Sequence, residues 1–406
     1  MIAPHSGKRV KSVSAKHVPD MPRIPTLMHV FPTFGFGGSQ VRFAAIANHF
    51  GRTFRHLVLA MDGSYECMGR IEKGVEVERV VVPIRKRSTL RNAFVFRRFL
   101  HLRRPDVLVT YNWGAIEWAL ANWPQFVRHV HIEDGFGSEE AEVQFFRRVL
   151  SRRIALVRST VVLPSQSLYR LARNTWKLPP DRTRHIANGI DCARFALTPE
   201  TIAVPTGRGP VIGMVAALRP EKNIGRLLRV VRRVAAMTPC RLLIAGDGTE
   251  RGKLEDLAGQ LLPPGSYAFI GHFDEIERFY ASIDILALTS DTEQMPTVVM
   301  EAMASGLPVV STDVGDVAGM VATENQPFVV PRDDEAYFGA LYRLVCDGPL
   351  RDRIGAMNRE AAVQKFAVAR MFSDYGSVFG LRDVPVLVKA GADVAAGGNG
   401  QVQGVE

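Results

Sequence analysis

Two carboxylates, Glu293 and Glu301, stand eight positions apart in the segment 290–316, SDTEQMPTVVMEAMASGLPVVSTDVGD. The run 297–304 is otherwise apolar and Pro296 suits a helix start, which predicts a buried helix with Glu293 in the loop before it. A carboxylate on such a helix is costly unless donors bond to it, and the vicinal hydroxyls of a ribose are suitable donors. The segment therefore favours sugar- or nucleotide-binding chemistry. The alternative is a core glutamate paired with an arginine.

Free N–H groups are predicted close to these carboxylates, and two cations are predicted at the start of another helix. The helix start at Met295–Thr297 offers N–H groups to a phosphate or a sugar oxygen. Upstream, the segment 210–231 (PVIGMVAALRPEKNIGRLLRVV) predicts a strand, a loop and a helix, with Arg219 and Lys222 at the beginning of the helix. Cations there oppose the helix dipole, so a bound anion would account for them. The alternative is that both are ordinary surface charges.

A glycine loop follows the first predicted strand, 26–32, in the sequence TFGFGGSQ (33–40). Gly37 and Gly38 let the backbone turn sharply and approach a ligand closely. The dinucleotide-binding fingerprint G-x-G-x-x-G is not met, because Gln40 occupies its third glycine position. The loop is therefore a candidate ligand-binding turn, and a tight structural turn is the alternative.

Polar residues also follow a later strand of the same half, in FVRHVHIEDGFGSEE (126–140). Parallel α/β folds place ligands at the carboxyl ends of strands, which makes His131, Glu133 and Asp134 candidates for a site. A histidine at a strand end can equally be a hydrogen-bonded structural residue. In the second half, Gly271 forms a Gly-His turn after another predicted strand.

Strands and helices alternate in two halves, separated by the Pro- and Gly-rich stretch 197–210. This alternation predicts an α/β fold with two Rossmann-like domains. A chain of 406 residues with 47% hydrophobic content can form two cores. The four cysteines have no C-x-x-C spacing, which argues against a disulfide framework or a zinc site. No D-x-D sequence of a metal-dependent transferase occurs, so we expect no metal cofactor.

The chain is basic, with a formal net charge of +10 and an isoelectric point of about 9.6, which favours anionic partners. Two Arg-rich segments, 85–105 and 141–158, predict basic helices that can lie on anionic lipid, and a solvated basic face is the alternative. Neither belongs to a nucleic-acid-binding motif, so no nucleic acid partner is expected. Without an apolar leader or a long apolar run, the sequence predicts a cytoplasmic protein, with peripheral attachment to the inner face of a membrane as a further possibility.

The segment 290–316 resembles the E-x7-E signature of glycosyltransferase family 4, also called glycosyl transferases group 1, and HIANGID at 185–191 resembles the family's segment that closes the first domain. The family consists of retaining nucleotide-sugar enzymes of the GT-B fold, two Rossmann-like domains facing each other across a cleft. The resemblance spans about residues 28–375 and is strongest over 186–330. The domain boundaries predicted from it and from composition are a flexible basic tail 1–25, an acceptor-side domain 26–195, a nucleotide-sugar-binding domain 205–350, a final helix 351–380 returning to the first domain, and a disordered tail 385–406.

The resemblance implies roles for the residues of the second half. Glu293 would approach the donor sugar with the amides near Met295–Thr297, and Glu301 would bind the ribose. Lys222 stands where the family has a lysine that grips the diphosphate. The family's arginine five residues earlier is replaced by Ala217, with Arg219 two positions further on, so Arg219 is a candidate substitute.

Further roles follow from the same resemblance. Gly37 and Gly38 would lie beside the donor phosphates, and the turn at Gly271 would hold the nucleobase. The family often carries a histidine near the reacting sugar, a role open to His131 or Glu133 because the usual pattern is replaced by HIED. The implied activity is retaining transfer of a sugar from a nucleotide-sugar donor to a glycan or lipid-linked acceptor. A nucleotide-sugar epimerase of the same fold, a non-enzymatic protein binding anionic surfaces and an NAD-dependent oxidoreductase are the alternatives.

Overall fold

The computed structural model of the chain describes residues 23–85, 88–135, 144–197 and 200–381. Of the two segments predicted as tails, 385–406 lies outside the described residues, and of 1–25 only residues 23–25 lie inside them.

The first half contains a sheet of seven parallel strands in the spatial order β3-β2-β1-β4-β5-β6-β7. The inner strand β1, TLMHVF, is buried along almost its whole length, as expected for a parallel sheet covered on both faces. The strands are β1 (Thr26–Phe31), β2 (Arg55–Ala60), β3 (Val77–Arg79), β4 (Val107–Tyr111), β5 (Arg128–Ile132), β6 (Thr160–Leu163) and β7 (Thr183–His185).

Helices cover both faces of this sheet, because successive residues of a strand point to opposite faces. Leu27 and Phe31 of β1 pack with the first helix, whereas Met28 and Val30 pack with the second and third. The helices of this half are α1 (Gly38–Phe50), α2 (Thr89–Arg103), α3 (Ile116–Ala121), α4 (Phe146–Leu156) and α5 (Gln166–Asn174).

The second half contains a separate sheet of six parallel strands in the order β10-β9-β8-β11-β12-β13. Its strands are β8 (Val211–Val215), β9 (Arg241–Ala245), β10 (Tyr267–Phe269), β11 (Ile285–Leu288), β12 (Val309–Thr312) and β13 (Val329–Val330). Its helices are α6 (Cys192–Ala196), α7 (Ile224–Ala235), α8 (Arg251–Leu261), α9 (Ile276–Tyr280), α10 (Thr297–Ala304), α11 (Val317–Met320), α12 (Asp334–Cys346) and α13 (Gly348–Phe366). The prediction of two parallel α/β halves is confirmed.

Helix α10 is the buried helix predicted from the organising segment. It begins directly after Pro296 and ends before Gly306, whose φ of +78° is the left-handed conformation that favours glycine. It packs between α6 and α13. A Cβ atom at Gly355 of α13 would come within 2.0 Å of the Gly306 carbonyl oxygen, so a glycine is required for this close approach.

The chain returns to the first half through its last helix, α14 (Val368–Phe379), which follows α13 after a break at Ala367. Met371 and Tyr375 of α14 join the hydrophobic core beside α1. At the crossing, the Ile190 N–H donates to the Phe366 carbonyl over 2.8 Å, and the Val368 N–H donates to the Ile190 carbonyl over 3.0 Å. The two segments that connect the halves are therefore hydrogen-bonded to each other.

Candidate active site

An ion pair joins two of the predicted site residues at the carboxyl end of the second sheet. Lys222, in the loop between β8 and α7, places its Nζ atom 2.5 Å from the Oε1 atom of Glu293. The Ser290 hydroxyl donates to the same oxygen over 2.8 Å. The side chains of Lys222 and Glu293 are 23% and 13% exposed, so the pair is held by the protein and still reachable from solvent. The structure thus brings together a cation and a carboxylate that lie 71 positions apart in the sequence.

Glu301 lies on α10 and accepts a hydrogen bond of 2.8 Å from the Tyr280 hydroxyl. Burial raises the pKa of Glu301, and the Tyr280 hydrogen bond and the positive charge of Arg194 oppose that shift only in part. Arg194 itself is paired with Glu277 at 2.7 Å. One carboxylate oxygen of Glu301 thus has a protein donor, and the predicted pairing with an arginine is not the main contact.

The N-terminus of α10 lies between the two glutamates. Pro296 is its N-cap residue and makes no side-chain capping bond, so the first N–H groups of the helix have no side-chain acceptor there. Met295 is half-buried, Pro296 is buried and Thr297 is exposed. An eight-residue helix with this start can donate to an anionic or hydroxylated ligand.

Arg219 differs from Lys222 although it stands only three positions earlier. Its side chain is exposed, and it makes no side-chain hydrogen bond or ion pair with any part of the chain that the structure describes. Ala217, at the position of the family's arginine, is exposed as well. The Arg219 side chain is thus not held in place by the protein.

The predicted glycine turns follow strands in both halves of the molecule. Gly271 is buried, has a φ of +71°, and accepts a 2.7 Å hydrogen bond from the Gly246 N–H at its carbonyl. Gly37 and Gly38 are exposed at the N-terminus of α1. A Cβ atom at Gly38 would meet nothing within 4 Å, so open space lies above that turn.

His131 and Glu133 lie in the core of the first half. Both side chains are completely buried, and the Arg152 Nε atom donates to Glu133 over 3.0 Å. The His131 Nδ1 atom lies 2.8 Å from the Thr110 hydroxyl, and its Nε2 atom lies 3.4 Å from Glu133. Burial raises the pKa of Glu133, but the His131 hydrogen bond and the Arg152 charge outweigh it, so this pKa lies below its ordinary value. In this conformation neither side chain reaches the surface of the protein.

The next residue, Asp134, points the other way and meets Arg42 of α1. The Arg42 guanidinium lies 2.6 Å from Asp134 and donates to the Asn188 side-chain oxygen over 2.7 Å. The charge of Asp134 holds the pKa of Arg42 above its ordinary value in spite of burial. Asn188 precedes the segment that enters the second half. The sequence indicated Asp134 as a candidate but gave no sign of Arg42 as its partner, since the two are 92 positions apart.

The two halves meet along the loops that follow their strands. The N–H groups of Gln166 and Ser167, at the start of α5, donate to the carboxylate of Asp316 in the second half, the latter over 3.0 Å. Gly135 of the first half adjoins Gln294, since a Cβ atom there would lie 2.9 Å from the Gln294 side chain. Gln294 and Asp316 lie in the segment 290–316 and Gly135 in the segment 126–140, but sequence reasoning did not predict these contacts, because partners such as Gln166 and Asp316 are 150 positions apart.

A cavity of about 570 Å³ lies between the halves beside this contact. Residues from both halves and from α14 line it, among them His185, Met295, Asp316 and Arg370. Of the predicted site residues only Met295 borders the cavity. Lys222, Glu293 and Glu301 are not among the residues that line it.

The described residues contain no group of three or more His, Cys, Asp or Glu side chains that could hold a metal ion. Nor does any helix within the described ranges have the length and apolar character needed to cross a membrane.

Two parallel-sheet halves meeting at the carboxyl ends of their strands, with the last helix on the first half, define a GT-B fold. The crystal structure of Anabaena Alr3699/HepE in complex with UDP has this fold, with a TM-score of 0.72 and 18% identity over 87% of this chain and 99% of that chain. The family model for glycosyl transferases group 1 matches residues 203–361, and the model for a glycosyl transferase 4-like domain matches residues 37–189. The chain belongs to this glycosyltransferase family.

Curated relatives match shorter parts of the chain. A GDP-mannose-dependent alpha-mannosyltransferase of Mycobacterium tuberculosis is 31% identical over 155 residues, 37% of this chain and 39% of the relative. The lipopolysaccharide core biosynthesis glycosyltransferase LpsE of Rhizobium meliloti is 31% identical over 159 residues, 39% of this chain and 46% of the relative. The chain thus spans less than half the length of these two relatives.

Proposed function

We propose that this protein is a retaining glycosyltransferase that moves a sugar from a nucleotide-sugar donor to an acceptor hydroxyl. The observation that carries the proposal is the Lys222–Glu293 pair at the start of α10, with Glu301 about one turn into that helix. A cation, helix N–H groups and two carboxylates are thereby gathered at one strand end. Phosphate, ribose and sugar each have a chemically suitable partner in this set.

The reaction then depends on positioning and charge. Lys222 and the N–H groups at the start of α10 stabilise the negative charge that grows on the leaving diphosphate. Glu301 accepts hydrogen bonds from the ribose hydroxyls through the oxygen that Tyr280 leaves free. Glu293 and the amides at Met295–Thr297 orient the sugar so that the acceptor attacks from the side of the departing diphosphate. The new bond then keeps the configuration of the donor.

Gly38 faces open space, and the turn at Gly37 and Gly38 provides further N–H groups for the diphosphate. Gly271 supplies the turn beside the nucleobase. Arg219, exposed and without a fixed partner, is free to reach a bound diphosphate. His131 and Glu133 act from within the core, by holding the strand end that carries Asp134.

The acceptor in this proposal is a cell-surface polysaccharide or a lipid-linked glycan precursor. The relative LpsE is described as a lipopolysaccharide core biosynthesis enzyme, which supports an acceptor of this kind. The basic charge of the chain suits a cytoplasmic enzyme that works at the inner face of a membrane.

Thermal unfolding of the protein with UDP-, GDP-, ADP- and dTDP-sugars, and with NAD as a control, tests this function. A ligand at 100 times its dissociation constant adds about 2.7 kcal/mol to the stability of the native state. We expect stabilisation by one class of nucleotide-sugar. Stabilisation by NAD alone would contradict the proposal, and so would release of free nucleotide without any dependence on an acceptor. Conversion of the donor to an isomeric nucleotide-sugar would instead identify an epimerase.

We further propose that catalysis needs no divalent metal, because Lys222 and the helix N–H groups take the role of a cation at the diphosphate. Treatment with EDTA is then expected to leave the transfer rate unchanged. The measurement is the initial rate before and after chelation. A rate that is lost with EDTA and restored by Mg²⁺ would overturn this part of the proposal.

A further inference from the structure

Exposed apolar side chains are concentrated on one side of the first domain. Among the described residues, seventeen large apolar side chains are exposed, and ten of these lie on α2, on α4 with its flanking residues, and on the loop 122–127. The six-stranded domain carries only Met237 and Val363 between its first strand and α13. This distribution sets one surface of the molecule apart.

Helix α4 presents an apolar stripe to solvent. Phe146, Leu150, Ile154 and Val157 follow each other at spacings of four, four and three residues, which places them on one side of a helix. They are 77%, 43%, 52% and 38% exposed. The opposite side of α4 carries the completely buried Arg152, which pairs with Glu133. The usual arrangement of a surface helix is thus inverted, since the apolar stripe has no protein partner in the described part of the chain.

Helix α2 has a second exposed stripe. Leu90, Phe94, Arg98 and Leu102 are spaced by four residues and are exposed, whereas Phe99 is half-buried. The core side of this helix is formed by other residues, Phe96 and Leu100 among them. Helix α2 therefore has apolar side chains on both sides.

The loop 122–127 joins the two helices into one surface. The Arg97 guanidinium of α2 lies 4.8 Å from the ring centroid of Phe126 and donates to the Trp123 carbonyl over 2.9 Å. On the other side, the Arg158 guanidinium, just beyond α4, lies 4.8 Å from the ring centroid of Trp123. We call the exposed sides of α2 and α4 together with this loop the α2–α4 surface.

The charge on the α2–α4 surface is of one sign. Segments 88–104 and 144–158 contain arginines and no acidic residue. Arg103 is neutralised by Glu78, whereas Arg98, Arg147 and Arg153 have exposed side chains. Guanidinium groups beside exposed aromatic and aliphatic side chains match a bilayer surface, where phosphates meet acyl chains. A protein bound at this surface would need acidic and apolar side chains that match it. Nothing in the described part of the chain points to such a partner.

We infer that the α2–α4 surface docks on an anionic lipid bilayer, with the stripe of α4 inserted among the lipids. The inner side of α4 contacts Glu133 through Arg152, and Glu133 lies two residues before Gly135, which adjoins Gln294 at the interdomain contact. Docking therefore brings the interdomain edge close to the lipid surface, where a lipid-linked acceptor is presented. This last step rests on the proposed function, whereas the docking itself does not.

Flotation of the full-length protein with phosphatidylcholine vesicles, with and without phosphatidylglycerol, tests the inference. We expect binding to the anionic vesicles that weakens as salt is raised. The variant Phe146→Ser/Leu150→Ser/Ile154→Ser is expected to lower the partition coefficient by at least about ten-fold, because the inserted apolar area is removed. Arg147→Ser/Arg153→Ser is expected to lower it by about five-fold for each arginine.

The matched control is Met237→Ser/Val363→Ser, which removes exposed apolar side chains from the second domain and should leave vesicle binding unchanged. Thermal unfolding of every variant, with and without nucleotide-sugar, shows that the fold and donor binding persist. If the wild type binds anionic vesicles but no nucleotide-sugar, only the proposed function is contradicted. Equal vesicle binding by wild type and triple variant overturns the docking inference. The docking inference is also overturned if the wild type is a dimer that does not bind vesicles and the triple variant is a monomer.

Discussion

Two ion pairs, one in each domain, show how differently the halves use charged residues. Lys222 and Glu293 of the second domain are 23% and 13% exposed. Arg152 and Glu133 of the first domain are 1% and 0% exposed. A ligand can compete for the first pair, because both partners remain reachable from solvent. The Arg152–Glu133 pair is buried under α4 and holds in place the end of the strand that is followed by Asp134.

This difference shows that a charged residue at the end of a strand can either face a ligand site or be buried in the core. The residue type alone does not decide between these two environments. The two glutamates, Glu293 and Glu133, each follow the carboxyl end of a parallel strand, the place where ligands bind in α/β folds. Glu293 also lies just before the N-terminus of α10, which has no side-chain cap. We therefore assign donor chemistry to the second domain and a structural role to Glu133.

The largest expected effect is on stability, in Glu133→Gln. This change removes the negative charge that faces the buried Arg152 and His131. Breaking a buried ion pair from one side costs about 3 to 5 kcal/mol. The free energy of unfolding in urea should fall by this amount, while the dissociation constant of the nucleotide-sugar stays the same.

Glu78→Gln is the matched control for that experiment, since Glu78 pairs with Arg55 and Arg103 on the surface of the same domain. An exposed pair contributes less than about 1 kcal/mol, so this variant should remain close to the wild type. The structural role assigned to Glu133 is contradicted if Glu133→Gln keeps the wild-type free energy of unfolding but has a much lower kcat. Such a result would place Glu133 at the reacting sugar.

Lys222→Ala is expected to lower kcat/KM by about 100-fold, in the range found when one donor to a developing negative charge is removed. Lys222→Arg should retain much of the activity, because the positive charge is kept. Arg219→Ala is the internal comparison, and its effect should be below about ten-fold, since no protein group fixes the Arg219 side chain. Equal losses in Lys222→Ala and Arg219→Ala would show that Arg219 replaces the arginine missing at Ala217.

Local chemistry explains which parts could be predicted from the sequence. Pro296, the apolar run after it and Gly306 define α10 through short-range preferences for starting and ending a helix, and the structure has the helix at those bounds. The strand-helix alternation predicted the two sheets for the same reason. The resemblance to a known family implied that Lys222 and Glu293 serve one site, but their direct contact was not predicted, because no local rule joins residues 71 positions apart.

The burial of His131 and Glu133 could not be predicted from local sequence preferences. Residues 131 and 133 share one side of the strand and its extension, and alternation cannot say which side the helices will cover. The answer depends on Arg152, which α4 brings over this side from 19 positions further along the chain. The inverted α4 follows from the same contact, since burying Arg152 turns Phe146 and Leu150 towards solvent.

Buried histidines are expected to make the first domain sensitive to acid. Burial lowers the pKa of His56 to about 4, and burial with the nearby His131 lowers that of His129 to about 3. His29 is shifted in the same direction, by burial and by His56. The described histidine of the second sheet's loops, His272, is exposed instead. The comparison between the domains therefore extends to their response to pH.

We expect the free energy of unfolding to fall as the pH drops below about 6.5. In that range the unfolded chain binds protons at His56 and His129, whereas the folded chain binds them only near pH 4 and pH 3. Each such histidine lowers the stability by up to about 1.4 kcal/mol per pH unit. Urea unfolding of the wild type, His129→Gln and His272→Gln across this range measures the slope. His129→Gln should flatten it and His272→Gln should not, and a wild-type stability independent of pH would show that these histidines are protonated in the folded domain.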